Sequence, residues 1–251
     1  MSISVVFIIR NAIKQGYCFW ESLLSCLPFA DEIIISEGMS NDGTDKYIKE
    51  FAKKYCGCVP IHIFYDEWGE SYHGEMIAKI SQNAINRASE NWIYYLQADE
   101  IVHEKNIDYI KSITNSKYNS VEFPFYHFIR SWSPSKEGYK SAIRMIRNKR
   151  DIFLKGDAWN FEGNIEPVCK AENAIKSVYH FAWVFPKQND IKDIEHYGLY
   201  KNCIEYKEKM QKACVSLKKE KKSYPITDFN DFPELSKRFI GEAEYPLPFE
   251  I

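Results

Sequence analysis

Four short runs rich in β-branched and aromatic residues, at 3–9, 32–36, 61–65 and 92–96, are separated by three stretches whose apolar residues recur at helical spacing. No other feature limits the fold so tightly. Phe19, Trp20, Leu23, Leu24 and Leu27 form the first helical stripe before Pro28, Tyr47, Ile48, Phe51, Ala52 and Tyr55 the second, and Met76, Ile77, Ile80, Ala84, Ile85 and Ala88 the third. The strand runs are near-continuous in apolar character, as strands covered on both faces require. A β-α-β-α-β-α-β order predicts an α/β chain with a parallel sheet wound by right-handed crossovers. Ligands of such sheets bind beyond the carboxyl ends of the strands, and those ends carry Arg10-Asn11, Glu37 and Asp99-Glu100.

Composition removes several alternatives. With 33 Lys plus Arg against 35 Asp plus Glu, the chain has no basic footprint, so no nucleic-acid partner is expected. The apolar run at 3–9 is too short to span a bilayer and has no basic leader, so no transmembrane segment or signal peptide is expected and the protein reads as cytoplasmic. Only Cys56-Gly57-Cys58 among seven scattered cysteines is close-spaced, and no second pair follows at zinc-ribbon spacing. The run Lys218-Lys219-Glu220-Lys221-Lys222 is either a solvated face or a contact with the cytoplasmic face of an anionic membrane. We take 1–200 as one catalytic unit and 201–251 as a C-terminal helix and irregular, proline-rich tail packed on it.

Neither Gly-x-Gly-x-x-Gly nor a phosphate-cradling P-loop occurs, so a phosphate ligand would be handled another way, and a divalent cation on carboxylates, Mn2+ or Mg2+, is the obvious substitute. Three segments then stand out in order: residues 3–11, the stretch Asp31-Glu32-Ile33-Ile34-Ile35-Ser36-Glu37-Gly38-Met39-Ser40-Asn41-Asp42-Gly43-Thr44, and Trp92-Ile93-Tyr94-Tyr95-Leu96-Gln97-Ala98-Asp99-Glu100. Together they resemble the ordered signatures of family 2 glycosyltransferases of the GT-A fold, over about the first hundred residues. The resemblance implies a Rossmann-like three-layer sandwich with a mainly parallel central sheet. It also implies transfer of a sugar, with inversion, from a UDP- or GDP-linked donor to a hydroxyl on a glycan, lipid-linked or protein acceptor.

On the family's pattern Glu37 contacts the nucleotide and Asp99 binds the metal, with Glu100 and His180 as further metal candidates. The nucleotide set is completed by Ile9, Arg10, Asn11, Lys79, Gln97 and Ala98. Two departures stand in the sequence: Gln97 where the family usually has an aspartate, and Glu37-Gly38-Met39 where it has Asp and two small polar residues. Three acids in the loop after 156 compete as general base, namely Asp157, Glu162 and Glu166. Glu166 leads, because it falls where related transferases carry an acceptor-facing glutamate and because Pro167 restrains its backbone. The cluster Tyr126, His127, Phe128, Arg130 and Trp132 reads either as a sugar-stacking surface or as core. The rival readings are a catalytically silent nucleotide- or sugar-binding module of the same fold, and a sugar nucleotidyltransferase. The latter is opposed by the absence of glycine in Arg10-Asn11-Ala12-Ile13-Lys14.

Overall fold

The computed structural model describes residues 1–69, 75–135, 140–171, 178–189, 191 and 232–248. The basic run at 218–222 lies outside them, as does the C-terminal helix and tail expected over 201–251 apart from residues 232–248. In chain order the elements are β1 (Ile3–Ile9), α1 (Ala12–Gln15), α2 (Phe19–Cys26), β2 (Glu32–Glu37), α3 (Thr44–Tyr55), β3 (Ile61–Tyr65), α4 (Glu75–Ile85), β4 (Trp92–Gln97) and β5 (Glu100–Val102). After these come α5 (Ile107–Ile113), β6 (Ser120–Ile129), β7 (Ser141–Arg147), β8 (Ile152–Lys155), β9 (Asn160–Gly163), β10 (Val168–Lys170) and β11 (Val178–Trp183).

The sheet runs β3-β2-β1-β4-β7-β6-β11-β5, with β10 also on β6, while β8 and β9 form a separate hairpin. Its first half is parallel as the alternation predicts. Beyond β4 it is mixed, because β7 is antiparallel to both β4 and β6, and β5 is antiparallel to β11. Because β6 is parallel to both β10 and β11, most pairings are parallel, but the sheet as a whole is mixed. The strand order reverses between β1 and β4, and at such a switch point the loops diverge and leave a crevice.

Both faces of the sheet are covered. Phe7, Ile33, Ile35, Trp92, Tyr94 and Leu96 pack against α2 and α3 in one core, and Val6, Ile8, Ile34, Ile93 and Tyr95 pack against α4 and the β8–β9 hairpin in another. Proline within a strand suits an edge or a bulge, and Pro124 stands beside a bulge. It lies inside β6, two residues from a register shift at Val121/Glu122, where β10 stops pairing at Glu122 and β11 begins at Phe125. A residue without an N–H fits that gap between two partner strands. The two arginines of β7 have separate partners: Arg147 lies over the Trp92 ring at 4.2 Å, and Arg144 is wholly buried.

Residues 232–248 close over the aromatic end of the molecule. Phe128 stacks on Phe181 at 4.9 Å and on Phe232 at 5.3 Å, and Trp132 meets Phe185 at 5.7 Å. Phe128 and Trp132 are fully buried, which makes them core and not sugar-stacking surface. The segment is pinned to α2 by Glu21, whose carboxylate accepts from Arg238 Nε at 2.6 Å and from the Tyr245 hydroxyl at 2.8 Å.

β3 and α4 are tied to β2 by Asp66. It accepts from Arg87 at 2.5 and 2.7 Å and from Ser36 Oγ at 2.5 Å. The Arg87 hydrogen bonds hold the Asp66 carboxyl below its ordinary value of 3.8. A lowered folded-state pKa gives stability that is present at neutral pH and is lost as the pH falls through that value. Asp66→Asn should therefore cost about 1.5–3 kcal/mol at pH 7, the worth of hydrogen bonds to a charged group. Thermal unfolding of both proteins between pH 7 and pH 3 checks this: the gap should close on acidification, and a gap that widens would contradict the assignment.

Candidate active site

The loops after β1 and β2 are bound to each other. Asn11, held left-handed at φ 49°, accepts from the Asn41 amide through Oδ1 at 3.0 Å and donates its own amide to Ser40 Oγ at 2.8 Å. Asp42 accepts from the Lys14 and Thr44 amides at 2.8 and 3.0 Å. Ile9, buried, accepts from the Gly38 amide at 2.8 Å. This lacing fixes the floor of the crevice before any ligand arrives.

Glu37 ends β2 and is 1% exposed. Its Oε1 accepts from the Ser40 amide at 2.9 Å, while Oε2 is buried with no hydrogen-bond partner among the described residues. Beside it, Arg10 Nε and Trp68 Nε1 are two further buried polar atoms with no such partner, and the Arg10 guanidinium lies 5.6 Å from the Trp68 ring. Gly38 explains why the chain departs from the usual small polar pair here. A Cβ at 38 would sit 2.6 Å from Trp68 Nε1 and 2.8 Å from Arg10 Cβ, so only glycine admits the indole. Trp68 went unnoticed in the sequence because it lies in a loop without periodicity.

Across the switch point, Asp99 follows β4 in a tight turn. The turn is clamped from α2, where Ser22 Oγ lies 3.1 Å from the Ala98 carbonyl and 2.6 Å from that of Glu100, on either side of Asp99. Ser25 Oγ accepts from the Val102 amide at 3.1 Å. Asp99 is 9% exposed, and its Oδ2 stands 3.4 Å from His180 Nε2. That separation exceeds a good N–H···O hydrogen bond. It is close to the roughly 3 Å that separates adjacent ligand atoms on one octahedral ion with bonds of ~2.1 Å. His180 is brought there by β11, which aligns it with His127 of β6 on one side and Glu100 of β5 on the other.

Glu100 does not share that role. It is fully buried and receives Arg144 Nε at 3.0 Å and Nη2 at 2.7 Å, together with the Gln97 amide at 3.3 Å. Its lone pairs are committed to the protein, which corrects its place among the metal candidates. Gln97 is half-buried at the end of β4, and Lys79 is exposed on α4. Among the described residues no group of three or more His, Cys, Asp or Glu is placed to hold a metal ion. A cation on Asp99 and His180 would therefore take the rest of its shell from phosphate oxygens and water, the usual habit of Mg2+.

The three acids of the later loop part company. The hairpin pairs Lys155 with Asn160 near its tip and Ile152 with Gly163 at its base. Its tip is tethered to the buried Arg144–Glu100 pair, because Arg144 donates from Nη1 to the Trp159 carbonyl at 2.9 Å while its other nitrogens hold Glu100. Asp157 lies in that tip, partly buried, between left-handed Gly156 and Ala158. On β9 Phe161 faces the core, so its neighbour Glu162 faces solvent.

Glu166 has gone to the far end of the sheet. Its carbonyl accepts from Asn119 Nδ2, and the Ile165 carbonyl accepts from Ser120 Oγ at 2.8 Å. Asn119 in turn receives the amide of Arg147, which pairs with Trp92 at the start of β4. Asp99 lies past the other end of that six-residue strand, roughly 17 Å away at ~3.3 Å per residue. Glu166 is exposed, and its carboxylate accepts from the Val168 amide at 2.9 Å. The position of Glu166 removes the ground on which it led.

No protein-family model and no curated protein matches the sequence. Among solved structures the fold is similar to that of S. aureus TarS 1-349 in complex with UDP-GlcNAc, with a TM-score of 0.51 and 14% identity over 78% of this chain and 67% of that one. The same TarS segment in complex with UDP aligns at 0.51 and 14% identity over 77% and 63%. The chain thus spans about two thirds of the length of these TarS chains, and at this identity the likeness is one of fold. The mannosyltransferase PcManGT from Pyrobaculum calidifontis, in complex with GDP-Man and Mn2+, aligns at 0.43 with 10% identity over 67% and 56%, too distant to bear on the site.

Proposed function

We propose that the protein is a family 2, GT-A glycosyltransferase that moves a sugar from a uridine diphosphate donor to an acceptor hydroxyl. The observation that carries this reading is the approach of Asp99 Oδ2 and His180 Nε2 to 3.4 Å at the switch point of the sheet, together with buried polar atoms of Arg10 and Glu37, after β1 and at the end of β2, that have no hydrogen-bond partner among the described residues. TarS, which shares the fold, is known in complex with UDP and UDP-GlcNAc.

The choice of uridine over guanosine follows from counting hydrogen-bonding capacity. Arg10 Nε and Trp68 Nε1 offer two donors and Glu37 Oε2 one acceptor. Uracil presents two carbonyls flanking one N–H, which satisfies all three. On its Watson–Crick edge guanine presents one carbonyl and two adjacent donors, and bound by that edge it would leave one buried donor unpaired at a cost of about 1–3 kcal/mol.

Asp99 and His180 would hold the divalent ion, Mn2+ or Mg2+, whose charge stabilises the departing diphosphate. Asp157 takes the acceptor proton as the acceptor oxygen bonds to the anomeric carbon from the face opposite the leaving group. The carbon–oxygen bond to the diphosphate breaks, and configuration inverts. Residues 1–200 form the catalytic unit, and 232–248 close over its aromatic end. A silent binding module would use the same pocket but would release no product.

Thermal unfolding with UDP or GDP, each with and without Mn2+, tests the reading. Saturation at 100 times Kd adds about 2.7 kcal/mol, or roughly 5–10 °C for a chain of this size. UDP with Mn2+ should give that shift, GDP a smaller one, and Asp99→Asn should lose the part that depends on Mn2+. Equal shifts with UDP and GDP would refute the base assignment. An unchanged metal dependence in Asp99→Asn would refute the metal assignment.

A further inference from the structure

His127 lies one strand behind the Asp99–His180 contact and is 5% exposed. Its Nδ1 is 2.7 Å from His180 Nδ1, and the two rings meet edge to face at 4.8 Å and 88°. Its other flank is stacked on Phe125 at 5.6 Å and 26°. Two imidazole nitrogens at hydrogen-bond distance cannot both be bare and cannot both be protonated in neutral rings. One must donate and the other accept, so the tautomers of the pair are locked to opposite forms.

We propose that His127 is a positioning residue that fixes the tautomer of His180, so that the Nε2 lone pair of His180 is turned towards Asp99 and a divalent cation. In this arrangement His180 donates Nδ1–H to His127 Nδ1, and His127 carries its own proton on Nε2. The opposite arrangement would put a proton on His180 Nε2, where the cation must bind. Hydrogen bonding of the second ring nitrogen orients a ligating histidine and raises its basicity, and losing such a partner costs about 10–100-fold in metal affinity. The packing of His127 on Phe125 and its alignment with His180 across two parallel strands hold the pair in register.

The inference rests on the metal reading above, and the experiment separates the two. Mn2+ affinity of the full chain is measured by the paramagnetic resonance signal of free Mn2+ in saturating UDP. Asp99→Asn and His180→Ala define the loss of the site. His127→Phe should weaken Mn2+ binding 10–100-fold. His127→Asn keeps an acceptor oxygen near the position of Nδ1 and should stay within a few-fold of the parent. Circular dichroism confirms folding, and long-range 1H–15N spectra of the metal-free protein should show His180 protonated on Nδ1 and His127 on Nε2.

If Asp99→Asn and His180→Ala bind Mn2+ as the parent does, the metal reading falls and this inference with it. If they lose binding but His127→Phe keeps it, or if His127→Asn falls as far as His127→Phe, only the positioning role is overturned. The opposite tautomer pair in the spectra would also overturn it.

Discussion

Replacing Asp157 by asparagine should slow sugar transfer by about two to four orders of magnitude, the usual worth of a general base. Glu166→Gln should transfer at close to the parent rate. Asparagine keeps the size of the side chain but cannot accept a proton. The tip that carries Asp157 is tethered through the Trp159 carbonyl to Arg144, and through Arg144 to Glu100 beside Asp99. Glu166 sits where β4 begins, a strand's length from Asp99, and Glu162 faces solvent. Initial rates with a native acceptor, measured beside UDP affinity, check this. UDP affinity should be unchanged in both variants if each acid acts on the acceptor alone. A crippled Glu166→Gln beside a near-normal Asp157→Asn would reverse the assignment.

The largest effect on stability should come from Arg144. The Arg144–Glu100 pair is fully buried on both sides and closes at 2.7 Å. Arg144 also lies over the Phe125 ring at 4.9 Å and donates to two main-chain carbonyls, those of Ile143 and Trp159. Removing one partner of a buried ion pair strands the other charge in a medium that cannot solvate it, at a cost of about 3–5 kcal/mol. Arg144→Met should lower unfolding stability by that amount in urea titration. Replacing both residues by apolar ones, Arg144→Met with Glu100→Leu, should recover much of it, because no charge is left buried. Transfer activity should not recover, since the Trp159 carbonyl loses its donor and the Asp157 tip its tether. Full recovery of activity in the double variant would show that the pair serves stability alone.

The first four strands and their crevice were legible because near-continuous apolar runs alternating with helical stripes leave few other topologies. The placing of Arg10, Glu37 and Asp99 at strand ends followed from the same runs. The second half was harder to read. Three acids within ten residues look equivalent along the chain, but the β8–β9 hairpin turns at 156–159 and sends 163–166 back to the opposite end of the sheet. Nothing in local composition encodes that return.

Glu100 was misread for a different reason. Adjacent acids suggest one site, yet here Asp99 lies in the turn and Glu100 begins β5, where its side chain enters the core. The lone arginine within Ala142-Ile143-Arg144-Met145-Ile146 was the available signal, since a charge in such a strand needs a buried partner. His127 was visible only as one of several ring-bearing residues. Its register with His180 is a property of two strands more than fifty residues apart.

The most direct measurement is anomalous diffraction at the manganese edge from crystals grown with UDP and MnCl2. The account predicts one strong peak bonded to both Asp99 Oδ2 and His180 Nε2, with the diphosphate on its open side and the uracil against Trp68 and Glu37. A peak elsewhere, or ordered UDP with no manganese between Asp99 and His180, would contradict it.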